Sequence, residues 1–467
     1  MSRPRFVALL IAVLLVAPVV SGTALASPAT ELFQAASTDL LDNYYGWSDL
    51  DRPALVARYA AALDSECAAS GDACTYDQGR AVVRQMLTEL HDAHTNIRDA
   101  EGAEWLREVQ QDLTVPRTGL RVVKTGLGLL VVGVMPGSPA EAAGVQRFDL
   151  LTSLNGQPET GGAADSAAFV RLERQAAPIQ AELLHAGQPR SLTLTTAPMK
   201  ARDVPILSWQ PGTAGKVAVI QYPTFLSVDS AELFLKALDE AQAGGAAGLV
   251  IDLRYNGGGH IDQCVQAASA FRPALYQAHV LLRMQIHPRV PQENNRAPGS
   301  PASPAAAAPP APVPFGSWDY AALGGRSKSP DSVRRALSGP DPDLQGLWHG
   351  PAALLIDENT ASCAEVFGFF AHQAGAVLVG QPTKGVMNSG VNFFPLPDHG
   401  VMSLTMLRAY DQAGQPLPDH LQPDMNVPVD LAALVEHGQD TVLETALKAV
   451  QARLANHGAA PAPAGSP

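Results

Sequence analysis

Positive charge is in short supply: 32 lysines and arginines stand against 45 aspartates and glutamates, for a formal charge of −13. A surface built to hold phosphate backbones needs the opposite balance, so nucleic acid is excluded as a partner. Long apolar runs are missing too. The one candidate, "FVALLIAVLLVAPVV" near the N-terminus, is short for a bilayer span and is broken by Pro18. No later segment is apolar enough to cross a membrane, so the mature chain is expected to lack a span. Cysteine is sparse, with 4 residues whose spacings do not resemble a zinc site. No metal or other cofactor is expected.

What is present begins with an address. "MSRPR" carries Arg3 and Arg5, the apolar run follows, and "SGTALA" ends in small residues. This is the three-part pattern of a secretory signal peptide over residues 1–26, with Ala24 and Ala26 flanking a cut before Ser27; an uncleaved anchor is the competing reading. Export to the periplasm or the medium is the expectation. In an exported chain, Cys67 and Cys74 are close enough in sequence for a local disulfide. Cys264 and Cys363 are isolated within apolar segments and are expected to be buried free thiols.

A chain of 467 residues can hold two or three domains with real cores. Apolar residues at three- and four-residue intervals predict a helical region over 28–112. Residues 113–200 change to short β-type runs around a Pro-Gly turn. From "GKVAVIQYPTF" onward strands and helices alternate, which predicts an α/β domain over 201–455. The Pro/Ala-rich stretch 289–314 interrupts it and reads as a surface insertion, and 456–467 reads as a disordered tail.

Two strand-to-helix junctions in that domain could carry chemistry. In "LLIDENTASCAEVFGFF", Ser362 and Glu365 have the S-x-x-E spacing of a capping box. The same geometry could place a nucleophilic hydroxyl at the sheet's C-terminal edge, with the Cys363 N–H aimed at an oxyanion. In "IDLRYNGGGHID", three glycines follow a buried strand. A tight turn needs fewer, whereas exposed amides from Gly257 to Gly259 would suit a ligand backbone. Candidates for the base are His91 and His94 in "TELHDAHTNIRD", His260 after the glycines, and Lys384 in "GQPTKGVMNSG".

These motifs, with "VVGVMPGSPAEAAGVQRFDLLTSLNGQ", resemble the C-terminal processing (tail-specific) serine peptidases and their tricorn-core and interphotoreceptor retinoid-binding protein relatives. The resemblance implies a PDZ domain at 113–200 and a ClpP/crotonase-like spiral α/β core. Ser362 matches the family nucleophile, Cys363 the residue after it, and the Gly257–Gly258 loop the second oxyanion donor. The family lysine is absent, since Val386 stands at its position and Lys384 lies two residues early. The tricorn-like branch takes a histidine from the N-terminal region, and "LHDAHT" matches with His94, although Ala93 replaces a helping serine. Its acid has an inexact match in Asp419.

The reading that follows is an exported serine endopeptidase with protein or peptide substrates, using Ser362 with His94 as base and Lys384 as the alternative. An imidazole at its ordinary pKa of about 6.5 predicts an acid limb between roughly pH 6 and 7. The "TGLR" loop at Gly119 and Leu120 is expected to receive a chain's C-terminal carboxylate, unless the module only braces the core. The rivals are an inactive binding protein on the same scaffold, a Cys363 thiol nucleophile, and a crotonase-like acyl-CoA enzyme.

Overall fold

The computed structural model describes residues 26–160, 165–271, 277–280, 313–314, 347–410 and 415–458. The expected signal segment through residue 25, nearly all of the 289–314 insertion and the tail after residue 458 lie outside them. The chain opens with three helices, α1 (Pro28–Asn43), α2 (Arg52–Cys67) and α3 (Tyr76–Thr88). Ser27, Asp51 and Thr75 cap them by accepting first-turn N–H groups, which a helix start otherwise leaves unpaired. A Cys67–Cys74 disulfide closes the α2–α3 connection. This region is not purely helical: Asn96–Arg98 is a strand, β1, before α4 (Ala100–Gln110). Three residues show no period in a sequence, and the strand exists because it pairs antiparallel with residues 401–403.

The next module contains β2 (Thr114–Arg117), β3 (Leu120–Lys124), β4 (Leu129–Val134), α5 (Pro139–Ala142), β5 (Leu150–Leu154) and β6 (Gln157–Pro158). It ends with α6 (Ser166–Arg174), β7 (Ile179–His185), β8 (Gln188–Leu194) and β9 (Ala197–Lys200). Its sheet runs β3-β4-β5-β7-β8, and β2 pairs with β9 so that the chain enters and leaves at one place. Arginines dock it on the core: Arg147 pairs with Asp252 at 2.8 Å, and Arg121 donates to the Pro223 carbonyl at 2.9 Å.

The α/β core comprises β10 (Ile206–Gln210), β11 (Val217–Gln221), α7 (Ser230–Ala243), β12 (Gly248–Asp252), α8 (Ile261–Ala268), β13 (Gln277–Val280) and β14 (Val313–Pro314). It continues with β15 (Ala352–Ile356), α9 (Cys363–Gln373), β16 (Val377–Gly380), β17 (Ser389–Pro395), β18 (Val401–Tyr410), β19 (Met425–Asn426), α10 (Leu431–His437) and α11 (Thr441–Gly458). Helix α11 thus runs past the expected boundary at 455. The main sheet has the order β10-β11-β12-β15-β16-β19, parallel from β11 to β19. Both faces are covered, so its strands are continuously apolar. Val217, Val219, Val250 and Leu355 meet Val442, Ala446 and Val450 of α11. The alternate residues Ala218, Ile220, Ile251 and Leu354 pack with Phe234 and Phe367 on the other face. Burial of each such side chain contributes about 1.5–3 kcal/mol.

A second sheet, β1-β18-β13-β14 with β17 also on β18, joins the N-terminal region to this core. Strand β18 is long enough to pair β1 at one end and β13 at the other. Its partner β17 runs along its length.

Candidate active site

Parallel β12 and β15 end side by side, with Asp252 opposite Leu355, so their following loops leave the same sheet edge. The loops are then stitched together. Thr360 Oγ1 donates to the Leu253 carbonyl at 3.0 Å, the Ala361 N–H to the Asn256 carbonyl at 2.9 Å, and the Tyr255 N–H to Asp357 at 3.1 Å. Asp357, almost fully buried, also accepts the Thr360 N–H at 2.8 Å. Backbone polar groups that burial would leave orphaned are paired across the two loops.

The glycines permit this closeness. A Cβ at Gly258 would stand 2.7 Å from the Ala361 oxygen and 2.8 Å from both Cys363 N and Ser362 Cβ. At Gly259 it would meet Phe225 backbone at 2.0 Å. Phe225 belongs to an aromatic cluster with Tyr222, Phe234 and Phe367 that supports the loop from below.

Ser362 sits at φ 57°, ψ −119°, outside the extended region that an N-cap residue ordinarily adopts. Glu365 completes the expected capping pair by accepting the Ser362 N–H at 2.7 Å. It does more than cap, because it also accepts Thr383 Oγ1 at 2.5 Å and the N–H groups of Gly385 and Val386 at 2.9 and 3.1 Å. Burial pushes its carboxyl up, against those donors. The serine is both helix start and strained, supported side chain, so the cap and nucleophile readings describe one geometry.

Among the described residues the N–H groups of Gly257 and Cys363 have no hydrogen-bond partner, and both residues line a cavity of about 1050 Å³ with Ser362. Gly258 is a correction: its N–H donates to Asn256 Oδ1 at 2.9 Å, so it spaces the loops and donates nothing to the cavity. Cys363 is another. It is joined to Cys264 in a disulfide that ties α9 to α8 beside Ser362. Neither thiol is free, and the Cys363 nucleophile is ruled out in this state.

His94 reaches the same cavity wall from the N-terminal region, because β1 docks on β18. Its Nδ1 lies 2.8 Å from Ser389 Oγ, whose hydroxyl also faces the Val386 carbonyl at 3.4 Å. With that hydroxyl donating to Val386, Ser389 accepts Nδ1–H and leaves Nε2 as the basic nitrogen. Burial pulls the imidazole down to about 4, opposed by the Asp92 carboxylate. The expected value near 6.5 is therefore corrected downward. No hydrogen bond yet joins His94 to Ser362, although both face the cavity.

Lys384 also lines the cavity, but its side chain is exposed, the opposite of the burial on which a lysine base relies. His260 lines it too, with a buried Nε2 that lacks a partner. Asp419 is not brought in: its side chain is 63 % exposed and its carboxylate lies 3.8 Å from the His420 ring. The module loop differs from expectation as well. The Leu120 N–H donates to Thr118 Oγ1 at 3.2 Å, and the Thr118 N–H and hydroxyl both donate to Glu173 at 2.7 Å. Of the proposed cradle, the Gly119 N–H is left without a partner among the described residues. Ser389 and Asn256 were missed by sequence reasoning although both lie in the quoted segments: Asn256 binds the Gly258 amide two residues on, and Ser389 meets His94 only on folding.

Comparison with known proteins agrees with this architecture. Residues 216–427 match the model of peptidase family S41. A Staphylococcus saprophyticus protein named as a CtpA-like serine protease is 26 % identical over 201 residues, 43 % of this chain and 39 % of its own length. A Staphylococcus aureus protein of the same name is 27 % identical over 193 residues, 41 % of this chain and 37 % of its own. The chain thus spans about two fifths of these relatives. A solved Bacteroides fragilis structure assigned as an S41 protease has a TM-score of 0.52 at 18 % identity, covering 89 % of this chain and 97 % of its own. The fold is therefore the mixed α/β fold of S41 proteases.

Proposed function

We propose that the chain is a serine endopeptidase that cleaves unfolded or flexible protein segments. One observation carries this reading: Ser362, at positive φ, lies against the Gly258 backbone while the unpartnered Gly257 and Cys363 amides flank it in a cavity shared with His94. His94 Nε2 takes the hydroxyl proton as Ser362 Oγ attacks the peptide carbonyl. The two amides take the developing oxyanion, and the proton passes to the leaving amine. Water then hydrolyses the acyl-enzyme, with the same imidazole as base. The core is proposed to be of the ClpP/crotonase-like spiral type. Labelling with a fluorophosphonate, lost in Ser362→Ala, is the expected result. Failure of the wild-type protein to label, with intact peptide binding, would favour the inactive binding protein.

We further propose that the chain is exported, for which the N-terminal signal pattern and two disulfides are the support. Residues 113–200 are proposed to act as a PDZ domain receiving substrate C-termini at the Gly119 amide. A second reading is favoured by Glu173, whose carboxylate already occupies the loop: the module braces the core. Cleavage of free-acid and C-terminally amidated forms of one peptide separates them, since a brace treats both alike.

A further inference from the structure

The cavity wall built by β1 and the turn before it alternates. His94, Asn96 and Arg98 line the cavity, whereas Thr95 and Ile97 are buried behind it. Arg98 is unlike the other arginines that line the cavity. Arg117 and Arg121 both face Asp203, at 2.9 and 3.7 Å. The Arg98 side chain makes no hydrogen bond or ion pair with any described residue, and burial acts on its guanidinium with no carboxylate to offset it. Its stem is packed, because a Cβ at Gly102 would lie 3.0 Å from Arg98 Cβ and 3.4 Å from its Cδ. Arg98 lines the cavity, as do Trp105, itself 40 % exposed, and Phe393. A half-buried cation without a counter-charge gains more from an incoming anion than a solvated or paired one does.

We propose that Arg98 determines specificity by taking a carboxylate of the bound peptide about four residues from the scissile bond. The inference rests on the peptidase reading. Arg98 follows His94, which lies in the turn just before β1, by four residues, and a peptide extended alongside that segment advances at about 3.3 Å per residue. The carboxylate comes from an acidic side chain or from the peptide's own C-terminus, and the planar guanidinium holds either in the same two-pronged way.

The test compares matched fluorogenic peptides with Glu or Gln scanned from two to six residues on each side of the cut, each with a free or amidated end. The wild-type protein is expected to favour Glu over Gln, or the free end over the amide, about tenfold in kcat/KM at one position near the fourth. Which of the two pairs shows the preference identifies the source. Arg98→Met keeps the packed stem and is expected to lose the preference. Arg98→Lys, which keeps charge without the fork, is expected to retain about a third of it and serves should the methionine variant fold poorly. Equal ratios in wild type and both variants, or no preference in the wild type, would overturn the proposal. Dissociation constants of the same peptides on Ser362→Ala keep the two ideas apart. A preference in binding that depends on Arg98, without cleavage by the wild type, sinks the peptidase and keeps the subsite. Cleavage that ignores Arg98 does the reverse.

Discussion

Two glycine-bearing loops of this molecule invite the same description and behave differently. At residues 256–259 the amide of Gly258 is taken by Asn256, and that of Gly257 is left facing the cavity with the Cys363 amide. At residues 118–120 the Thr118 and Leu120 amides are satisfied from within, Thr118 by the Glu173 carboxylate. An anion site requires donors that the fold holds in place but does not use. The first loop meets that condition through a neighbour, because the Ser362 junction is hydrogen-bonded to it. The second has acquired a resident carboxylate.

The largest test of this contrast is at the first loop. Ser362→Ala and His94→Ala are each expected to lower kcat/KM by roughly 10⁴-fold, and Lys384→Ala by no more than about threefold. The reverse order for the two bases would reassign the proton acceptor. Gly258→Ala should lower kcat/KM by on the order of 100-fold and also lower Tm, since its methyl meets backbone atoms at Ser362 rather than a yielding side chain. An alanine there with normal turnover would show that the loops need not touch.

Ser389→Ala tests how His94 is held. Losing the acceptor for Nδ1–H should reduce kcat about tenfold and leave KM nearly unchanged, because ring orientation matters to proton transfer more than to binding. The pH profile is sharper still. With the imidazole at about 4, the acid limb of kcat/KM is expected near that value rather than between 6 and 7. The sign for stability follows. The native pKa lies below the unfolded value of 6.5, so the unfolded chain takes up the proton first. His94 therefore costs stability as pH falls from about 6.5 towards 4, and His94→Gln should flatten that part of the Tm profile.

The smallest effect is expected at the second loop. Glu173→Gln weakens the resident acceptor, and selectivity for free over amidated C-termini should rise about threefold if the loop is a cradle. No change in that ratio supports a brace.

Much of the core was legible because its signals are local. "KVAVIQY" and "AGLVIDLRYN" are apolar throughout, as strands covered on both faces must be, and the two strand-to-helix junctions carry their glycines and serine in short segments. His94 was legible as one candidate among several, and the family resemblance made the choice. Nothing local in "LHDAHT" predicts that β1 forms, since its three residues gain order from β18 some 300 positions later. The Cys264–Cys363 disulfide was hidden for the same reason, with a separation of 99 residues. The unmatched Asp419 shows the opposite error, a nearby acid in sequence that folding leaves in solvent.

By itself the amino-acid order determined the alternating α/β core, the serine at a helix start and the glycine run, because periodicity and backbone permissiveness act over a few residues. Tertiary structure alone decided which amides stay unpaired, that His94 reaches the cavity, and that Ser389 lies against its ring. Those outcomes depend on where separate segments meet, and hydrogen-bond competition among them is settled only once the sheets have formed.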